Sequence, residues 1–414
     1  MIPLPLAIAL AHLRMRRRQT LVSVLGVTLG VGVFISMTGL MQGFQSYFRN
    51  QIIETNPHVT ITDETRRPAP QPLQMLHPAA AVQVARIVPR DPVRGISAAG
   101  GILDALAAMP GLDAAPTLRG QLLLRRAGRD FAVTALGIDP VRELRVTTLQ
   151  TDMVQGSIEA LGGREDGIVL GITLANRMGV ALGDTIAVAT PANIATTLRV
   201  VGIFRTGLEQ QDTSQVLVNL TKQQSMQARP RVVNEIHIRL ADISRSIPVA
   251  AALEGRWGYK AAPWEETYAR ILDVFVLQNA IMFFATGAVL VVAAFGIFNI
   301  ISTVVMEKAR DIAILRSIGF ASGDVVAIFV IEGVIVGLLG ISAGALLGWL
   351  LSAGLAMVPA PGATDPSETL RIARAPWIYG VAATIAFVSA LAASWLPARR
   401  AARSDPLTII RGAM

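Results

Sequence analysis

The 414-residue sequence has no cysteine and only four histidines. Without thiols, the chain cannot form disulfides, a cysteine metal site, a thiol nucleophile or a lipidated N-terminal cysteine. The histidines, at positions 12, 58, 77 and 237, are scattered, and their spacing indicates no metal site. Phosphate-loop, nucleophile-elbow and zinc-protease motifs are absent as well. The sequence therefore gives no reason to expect catalysis by this chain, or a cofactor or metal bound to it.

Charge is nearly missing from four long apolar segments. Residues 21–43, 280–306 and 375–398 carry no charged residue, and 325–358 carries one, Glu332. A hydrocarbon core of about 30 Å takes about 20 helical residues, so each segment is long enough to cross it. A hydrophobic fraction of 52% and a mean hydropathy of +0.51 favour this over four buried helices of a soluble protein. We predict an α-helical polytopic membrane protein with four transmembrane helices. A large α+β extracytoplasmic domain is inserted between helices 1 and 2.

The predicted domain boundaries follow from these segments. They are 1–43 for an N-terminal interfacial helix and transmembrane helix 1, 44–270 for the extracytoplasmic domain with its stalk helices, 271–306 for helix 2, 307–324 for a cytoplasmic loop, 325–358 for helix 3, 359–374 for a short periplasmic loop, 375–398 for helix 4, and 399–414 for a cytoplasmic tail. We interpret the first segment as a retained anchor, because its apolar core exceeds that of a signal peptide and no small-residue cleavage site follows. Residues 3–13 are typical of a helix lying on the membrane surface.

The distribution of basic residues predicts the orientation. The N-terminal flank, the 307–324 loop and the tail together hold 11 basic and 4 acidic residues, which is most of the net charge of +8. The positive-inside rule then places both termini and this loop in the cytoplasm, and the 44–270 block in the periplasm of a bacterial inner membrane. The excess of basic residues lies beside the membrane-spanning segments, where it would meet lipid headgroups. We therefore do not expect nucleic acid as a partner.

The apolar helices are predicted to extend beyond the bilayer. Phe44, Phe48 and Ile52 recur at a spacing of four residues, which makes one apolar helical stripe continuing from helix 1. Ile271 and Phe275 lead into helix 2 in the same way. We expect the two extensions to pair as a stalk; the alternative is two juxtamembrane helices that do not meet.

The outer block shows mixed strand and helix patterns. Alternating apolar residues predict a strand at 58–62. Further strands are predicted at 122–126, 131–136, 168–171, 184–189, 198–204, 215–218 and 233–240, and helices at 102–109, 174–178 and 221–226. Gly128, Arg129 and Asp130 favour a hairpin turn, and the proline-rich passage 68–92 favours a loop. We expect an α+β domain in which strands from both ends of the block share one sheet.

One charged segment between apolar helices points to a family. Residues 298–319, ending in E-K-A-R-D-I-A-I-L-R-S-I-G, resemble the segment that joins the second and third spans of MacB/FtsX-type ABC transporter permeases. Glu332-Gly333 and residues 397–406 resemble the same superfamily. Short motifs at 43–44, 57–61, 137–140, 168–171 and 202–204 are most similar to the lipoprotein-releasing permeases LolC and LolE. The resemblance covers nearly the whole chain.

The resemblance implies partners and a coupling helix. It implies a cytoplasmic ABC ATPase dimer that binds ATP and Mg, a second permease copy or paralogue, and a periplasmic lipoprotein carrier or a membrane-fusion adaptor. The ATPase-coupling residues would be Glu307, Lys308, Arg310, Asp311, Ile312, Leu315, Arg316 and Gly319. As a helix, this segment places Ile312, Leu315 and Gly319 on one side. The alternative is a solvated amphipathic loop held at the lipid headgroups.

Two further features lie inside the apolar segments. Glu332 lies eight residues into its segment, and we expect a structural pairing, with an arginine of the coupling loop as the partner. Small residues at fourfold spacing indicate close helix packing, with lipid-facing glycine as the alternative. They are Gly26, Gly30, Gly333, Gly337, Gly340, Gly344 and Gly348. The resemblance implies a dimer in which helix 1 of each permease lies near its partner.

Three functions remain open from the sequence. The first is a permease of the mechanotransmission type that moves lipoproteins or other lipophilic substrates from the outer leaflet or periplasm. The second is a permease of a tripartite MacB-like efflux pump, and the third is a non-transporting FtsX-like signalling lever. The carrier-recruiting lipoprotein permease is expected to have a long hook after Pro191, but only residues 192–197 precede the next predicted strand. The overall match favours the first function, the short connection favours the second, and the large outer domain is evidence against the third.

Overall fold

The computed structural model describes residues 4–66, 95–191, 194–308, 310, 312, 314, 319–359 and 369–403. The chain forms two compact units. The helical unit comprises residues 1–48 and 273–414, and the sheet unit comprises residues 49–272. The predicted proline-rich loop at 68–92 lies outside the described residues.

The helical unit is built from long apolar helices. Its elements are α1 (Leu4–Met15), α2 (Arg17–Thr55, whose last turns belong to the sheet unit), α11 (Ala269–Glu307), α12 (Ser322–Leu355) and α13 (Pro376–Arg403). Four of them, all except α1, are long and apolar enough to cross a membrane. The two 39-residue helices would be about 58 Å long at 1.5 Å per residue, which exceeds a hydrocarbon core.

The first helix packs against its own chain. The helix predicted at 3–13 is present as α1, and Ala9 and Leu13 on one of its faces are buried, with α12 as the neighbouring helix. A single residue, Arg16, separates α1 from α2, and the Thr20 hydroxyl lies within hydrogen-bond distance of the carbonyls of Leu13 and Arg16. α1 therefore differs from a helix whose apolar face meets only lipid.

The sheet unit contains ten described strands and short helices. The strands are β1 (Val59–Thr62), β2 (Leu112–Arg126), β3 (Arg129–Ile138), β4 (Met153–Gly156), β5 (Gly167–Gly171), β6 (Thr185–Ala189), β7 (Ala195–Phe204), β8 (Gln215–Asn219), β9 (Glu235–Leu240) and β10 (Ala261–Pro263). The helices are α3 (Ala99–Ala107), α4 (Pro140–Val146), α5 (Ala160–Gly163), α6 (Ile172–Met178), α7 (Glu209–Ser214), α8 (Leu220–Met226), α9 (Ser246–Trp257) and α10 (Trp264–Thr267).

Six strands close into a ring. The pairing runs β2–β3–β8–β5–β7–β6, and β6 pairs back with β2. Leu122, Val133, Ile168, Ile186 and Val216 belong to one buried apolar cluster of these strands. Burial of these apolar side chains inside the ring favours closure, since every inward residue then leaves water.

Three of the remaining strands extend the ring beside β2, and the fourth, β4, pairs with β7. β9 pairs with the first half of β2, β1 pairs with β9, and β10 pairs with β1, all antiparallel. α3 and α9 cover this extension and bury a second apolar cluster. Strands from the two ends of the block thus share a sheet, which confirms that prediction.

Most predicted elements of this unit are confirmed within a few residues, with instructive differences. The hairpin turn is formed by Ala127 and Gly128, one residue earlier than predicted, and both have positive φ, at 50° and 75°. This is the geometry of a type I′ turn. The strands β4 and β10, the first half of β2 and the helices α4, α5, α7 and α9 were not predicted. β7 begins at Ala195, so β6 and β7 form a hairpin closed by the Thr190 N–H donating to the Ile194 carbonyl at 3.1 Å.

Candidate coupling site

The predicted coupling segment follows the end of α11. Asp311, Leu315 and Arg316 lie outside the described residues. Ile312 is 5% exposed and belongs to the same buried cluster as Leu13 and Val304. The apolar side of the segment is therefore packed at Ile312 into its own chain rather than held open for another protein. The Arg310 side chain is exposed and available for polar contacts.

The segment ends in a turn that starts α12. Gly319 has φ +108°, a conformation that L side chains rarely adopt. Asp324 accepts a hydrogen bond from the Ala321 N–H at 3.0 Å, which satisfies one free donor at the helix start. These two residues explain why the chain leaves the coupling segment and enters a helix at this point.

Glu332 faces α1. Its carboxylate is buried, with 7% of the side chain exposed, and its Oε2 lies 3.9 Å from Nδ1 of His12. Both atoms are buried without a hydrogen-bond partner among the described residues. The described basic group within ion-pair distance of Glu332 is on α1, because α1 packs on this face of α12. Arg316 of the coupling loop lies outside the described residues, so the expected pairing with an arginine of that loop stays a prediction.

A second polar contact connects α1 to the end of α11. Arg16, which joins α1 to α2, forms an ion pair with Glu307, the last residue of α11. Arg16 is 26% exposed and Glu307 is 48% exposed in their side chains. Glu307 is predicted to contact an ATPase; within its own chain it pairs with Arg16, and the ATPase contact stays a prediction.

The predicted packing glycines fall into two sets. A Cβ at Gly340, Gly344 or Gly348 would lie 2.5, 2.6 or 2.8 Å from the Cβ of Val27, Val31 or Ile35 on α2. This contact needs glycine because larger side chains would push the helices apart. Gly333 and Gly337 of α12 face Ser394 and Ala390 of α13 in the same way. In α2, Gly30 faces Leu290 of α11, while a Cβ at Gly26 would have no described atom within 4 Å.

The predicted stalk residues divide between the two units. In the helical unit, the Phe44 and Phe48 rings are 4.9 Å apart, and the Phe48 and Phe275 rings are 6.5 Å apart. Gln45 donates to Asn279 at 3.1 Å, so α2 and α11 meet through polar contacts as well. Ile52, which is buried, and Ile271, which is half-buried, belong to the sheet unit.

A charged cluster that the sequence did not predict lies in the sheet unit. His237 on β9 is buried between Glu143 of α4, at 3.0 Å from Nδ1, and Glu235 of β9, at 3.3 Å from Nε2. Arg119 on β2 pairs with the other oxygen of Glu235. The available signal was the alternation Glu235-Ile-His-Ile-Arg239, which places three ionisable residues on one face of a strand.

The cluster holds a charged histidine in the interior. Burial alone would lower the pKa of His237, but Glu143 and Glu235 outweigh it and raise the pKa to about 9. Burial likewise opposes ionisation of Glu235, but His237 and Arg119 lower its pKa to about 2. Among the described residues, no group of histidine, aspartate and glutamate side chains is arranged to hold a metal ion. The arrangement is therefore that of a buried ion network.

Two known protein families match the chain, one over most of the sheet unit and the other within the helical unit. The model of the MacB-like periplasmic core domain matches residues 20–256, and that of the FtsX-like permease C-terminal domain matches residues 283–406. The chain is 28% identical to the lipoprotein-releasing system transmembrane protein LolC of Xylella fastidiosa over 99% of both chains. It is 28% identical to LolC of Neisseria meningitidis over 83% of this chain and 81% of that one. It is 25% identical to the macrolide export ATP-binding/permease protein MacB of Hyphomonas neptunium, over 97% of this chain and 60% of that one.

The apolar helices and the ring-forming sheet unit thus define a membrane protein with an extracytoplasmic domain. The chain belongs to the family of proteins with a MacB-like periplasmic core domain, and it is an ABC transporter permease of the MacB/FtsX superfamily, similar to LolC. This confirms the family that the charged 298–319 segment indicated.

Proposed function

We propose that this chain is the non-catalytic permease subunit of a mechanotransmission-type ABC transporter that moves lipoproteins out of the inner membrane. All four long helices, α2, α11, α12 and α13, span the membrane, and both termini are cytoplasmic. The sheet unit lies in the periplasm, inserted between the first and second spans. A partner ATPase dimer supplies ATP and Mg binding, and a second permease copy or paralogue completes the membrane part.

One observation carries the proposal of lipoprotein release. The similarity to a lipoprotein-releasing LolC protein extends over 99% of both chains, whereas the chain spans 60% of the similar macrolide exporter. The sequence contains no phosphate-binding loop, so nucleotide hydrolysis is assigned to another chain.

The composition of the helices supports extraction rather than passage through a channel. Glu332 is the single charged residue in the four apolar segments, and it packs near His12. A hydrophilic substrate would need polar groups along its path through the membrane, and the segments offer none in series. Substrate is therefore taken from the outer leaflet, and the helices transmit motion to the periplasmic side.

The segment after α11 is the proposed ATPase contact. Ile312 anchors it to the helical unit, and the exposed Arg310 provides a polar contact for the partner. Motion of the bound ATPase would reach α11 and α12 directly, because α11 ends where the segment begins and α12 begins just after the segment ends.

The test is affinity purification of the full-length tagged chain from its host membranes in mild detergent, with mass spectrometry of the bound proteins. Depletion of the chain in the host is combined with localisation of mature lipoproteins. We expect a copurifying ABC ATPase and lipoproteins retained in the inner membrane on depletion. Copurification of an ATPase with normal lipoprotein localisation would overturn lipoprotein release. A folded preparation with no ATPase would overturn the transporter assignment altogether.

The short hairpin favours a second candidate, a permease of a tripartite efflux pump. β6 and β7 pair from Thr185↔Arg199 to Ala189↔Ala195, so the tip between them leaves no room for a long hook that would engage a periplasmic carrier. A macrolide exporter is among the similar proteins. Copurification of a membrane-fusion adaptor together with the ATPase would support efflux, and loss of the chain would then raise drug sensitivity while lipoproteins localise normally.

A further inference from the structure

We infer that α1 is a brace that positions the coupling segment, with His12 and Arg16 as its positioning residues. The inference rests on the proposed function for the role of the segment, but its structural part concerns this chain alone. It assigns to the N-terminal helix a task beyond membrane attachment.

Two contacts, one from α1 and one from Arg16 directly after it, reach the helices on either side of the segment: the first is made ten residues into α12 and the second at the last residue of α11. Arg16 pairs with Glu307, the residue at which α11 ends. His12 lies 3.9 Å from Glu332 on α12, the helix that begins where the segment ends. One short helix thus joins the element before the coupling segment to the element after it.

Apolar packing supports the same contact. Leu13, which lies between the two polar residues in sequence, belongs to the buried cluster that also contains Ile312 of the segment and Val325 of α12. The His12 ring also lies near Phe329, with centroids 6.3 Å apart. α1 is therefore held against the segment's surroundings by burial as well as by charge.

The Glu332 carboxylate has a physical need for this neighbour. An ionisable group buried in an apolar segment is costly unless another polar group accompanies it. The Glu332 Oε2 and the His12 Nδ1 are both buried without other hydrogen-bond partners among the described residues. Among the described residues, each lies within ion-pair distance of the other, so displacement of α1 would leave Glu332 in its apolar segment without this neighbour.

The brace predicts how motion is passed on. If α1 fixes the end of α11 relative to the start of α12, a partner that pushes on the segment moves both helices together. Without the brace, the same push bends the segment locally, and less of it reaches the helices. ATPase binding would persist in that case, while stimulation of ATP hydrolysis by the permease would fall.

Charge exchange tests the Arg16 contact in the full-length detergent-purified chain. Amide hydrogen exchange is measured in peptides covering the end of α11 and the start of α12 for Arg16→Glu and for Arg16→Glu combined with Glu307→Arg. Arg14→Glu, on the exposed side of α1, is the matched control. We expect Arg16→Glu to speed exchange about two- to fivefold, since a half-exposed pair contributes little more than that. The double variant should return to the wild-type rate, and the control should not change.

His12→Ala and Glu332→Gln, alone and combined, test the buried contact. We expect about tenfold faster exchange for each single variant, and no further increase in the double variant, because each removes the same interaction. Additive effects would show that the two residues act independently and would overturn the pairing. Equal acceleration by Arg14→Glu and Arg16→Glu would overturn the Arg16 contact.

The ATPase readout separates this inference from the proposed function. In the complex with the copurified ATPase, the Arg16→Glu variant should bind the ATPase at wild-type stoichiometry with permease-dependent stimulation lowered several-fold, and the Arg14→Glu control should keep wild-type stimulation. Wild-type stimulation in a variant whose helix ends exchange faster would overturn the brace while leaving the transporter assignment intact. If the wild-type chain binds no ATPase, the proposed function fails, and the exchange data still decide whether α1 fixes the helix ends.

Discussion

The buried histidine of the sheet unit predicts a loss of stability at alkaline pH. The pKa of His237 is raised from 6.5 to about 9 in the folded protein. Because the folded value is the higher one, the stabilisation is fully present below pH 6.5 and is lost as the pH rises through 9. At 1.36 kcal/mol per pKa unit, the cluster contributes about 3 kcal/mol at most, and about 2.5 kcal/mol of this should disappear between pH 7 and pH 10.

Urea unfolding of the full-length protein in detergent measures this loss. Replacing the three tryptophans of the helical unit by phenylalanine leaves Trp257 and Trp264 as reporters of the sheet unit. A slope of about 2 to 3 kcal/mol per molar urea converts the loss into a midpoint shift of about 1 M. Other groups should change the stability of the sheet unit little between pH 7 and pH 10. The unit has two lysines, Lys222 and Lys260, and burial raises the pKa of Tyr268 to about 12.

Two variants test whether His237 is charged in the folded protein. His237→Gln should be less stable by about 3 kcal/mol or more at pH 7, since the buried Glu143 loses its cation and Glu235 keeps only Arg119. The urea midpoint of this variant should be nearly constant from pH 7 to 10. Glu143→Gln should move the loss of stability to lower pH, because it removes the larger of the two attractions that raise the pKa of His237. A wild-type midpoint that does not change with pH, or an equal slope in His237→Gln, would refute the assignment of a charged histidine.

Burial and two neighbouring carboxylates raise the pKa of Asp152 to about 6, so its ionisation destabilises the folded state increasingly from pH 3.8 and fully above pH 6. Asp152→Asn should therefore stabilise the protein by about 1 to 3 kcal/mol at pH 8 and not at pH 3.5, as thermal unfolding at both values would measure; an equal gain at both would contradict the titration. Gly344→Ala should lower the thermal midpoint in detergent, at a cost of about 1 to 3 kcal/mol, since its Cβ would meet that of Val31. Gly354→Ala on the same helix has open space and should be neutral or slightly stabilising; similar losses in both would argue against close packing at Gly344.

Local patterns in the sequence were sufficient for the long helices and most strands. Uncharged runs of more than 20 residues, alternation as at 58–62 and short apolar runs as at 168–171 are signals that tertiary contacts rarely override. β10 was not predicted because Ala261–Pro263 has neither β-branched residues nor alternation; it is a strand only because β1 lies beside it. Strand pairing across more than a hundred residues is not encoded in any short window, so the ring closure could not be derived either.

In the candidate site, too, some features have a local sequence pattern and others depend on tertiary packing. The spacing of Gly340, Gly344 and Gly348 correctly indicated a close helix contact, because a small-residue face is a local pattern. His12 was not expected beside Glu332, since the sequence places it more than three hundred residues away and only the packing of α1 brings the two together. Glu143 and His237 were overlooked for the same reason, as they belong to different elements that meet in the core.

The pairing of β1 with β10 has a mechanical consequence. α2 ends four residues before Val59, and α10 starts directly after Pro263, which is the partner of Val59. Both helical connections therefore leave the strand pair at the same end, where the Trp264 N–H donates to the His58 carbonyl at 2.9 Å. A tensile load that separates the connections would break these hydrogen bonds one after another, as in unzipping, and not all together in shear. This strand pair would yield at a lower force than the closed ring, and it limits the tension that the domain can carry.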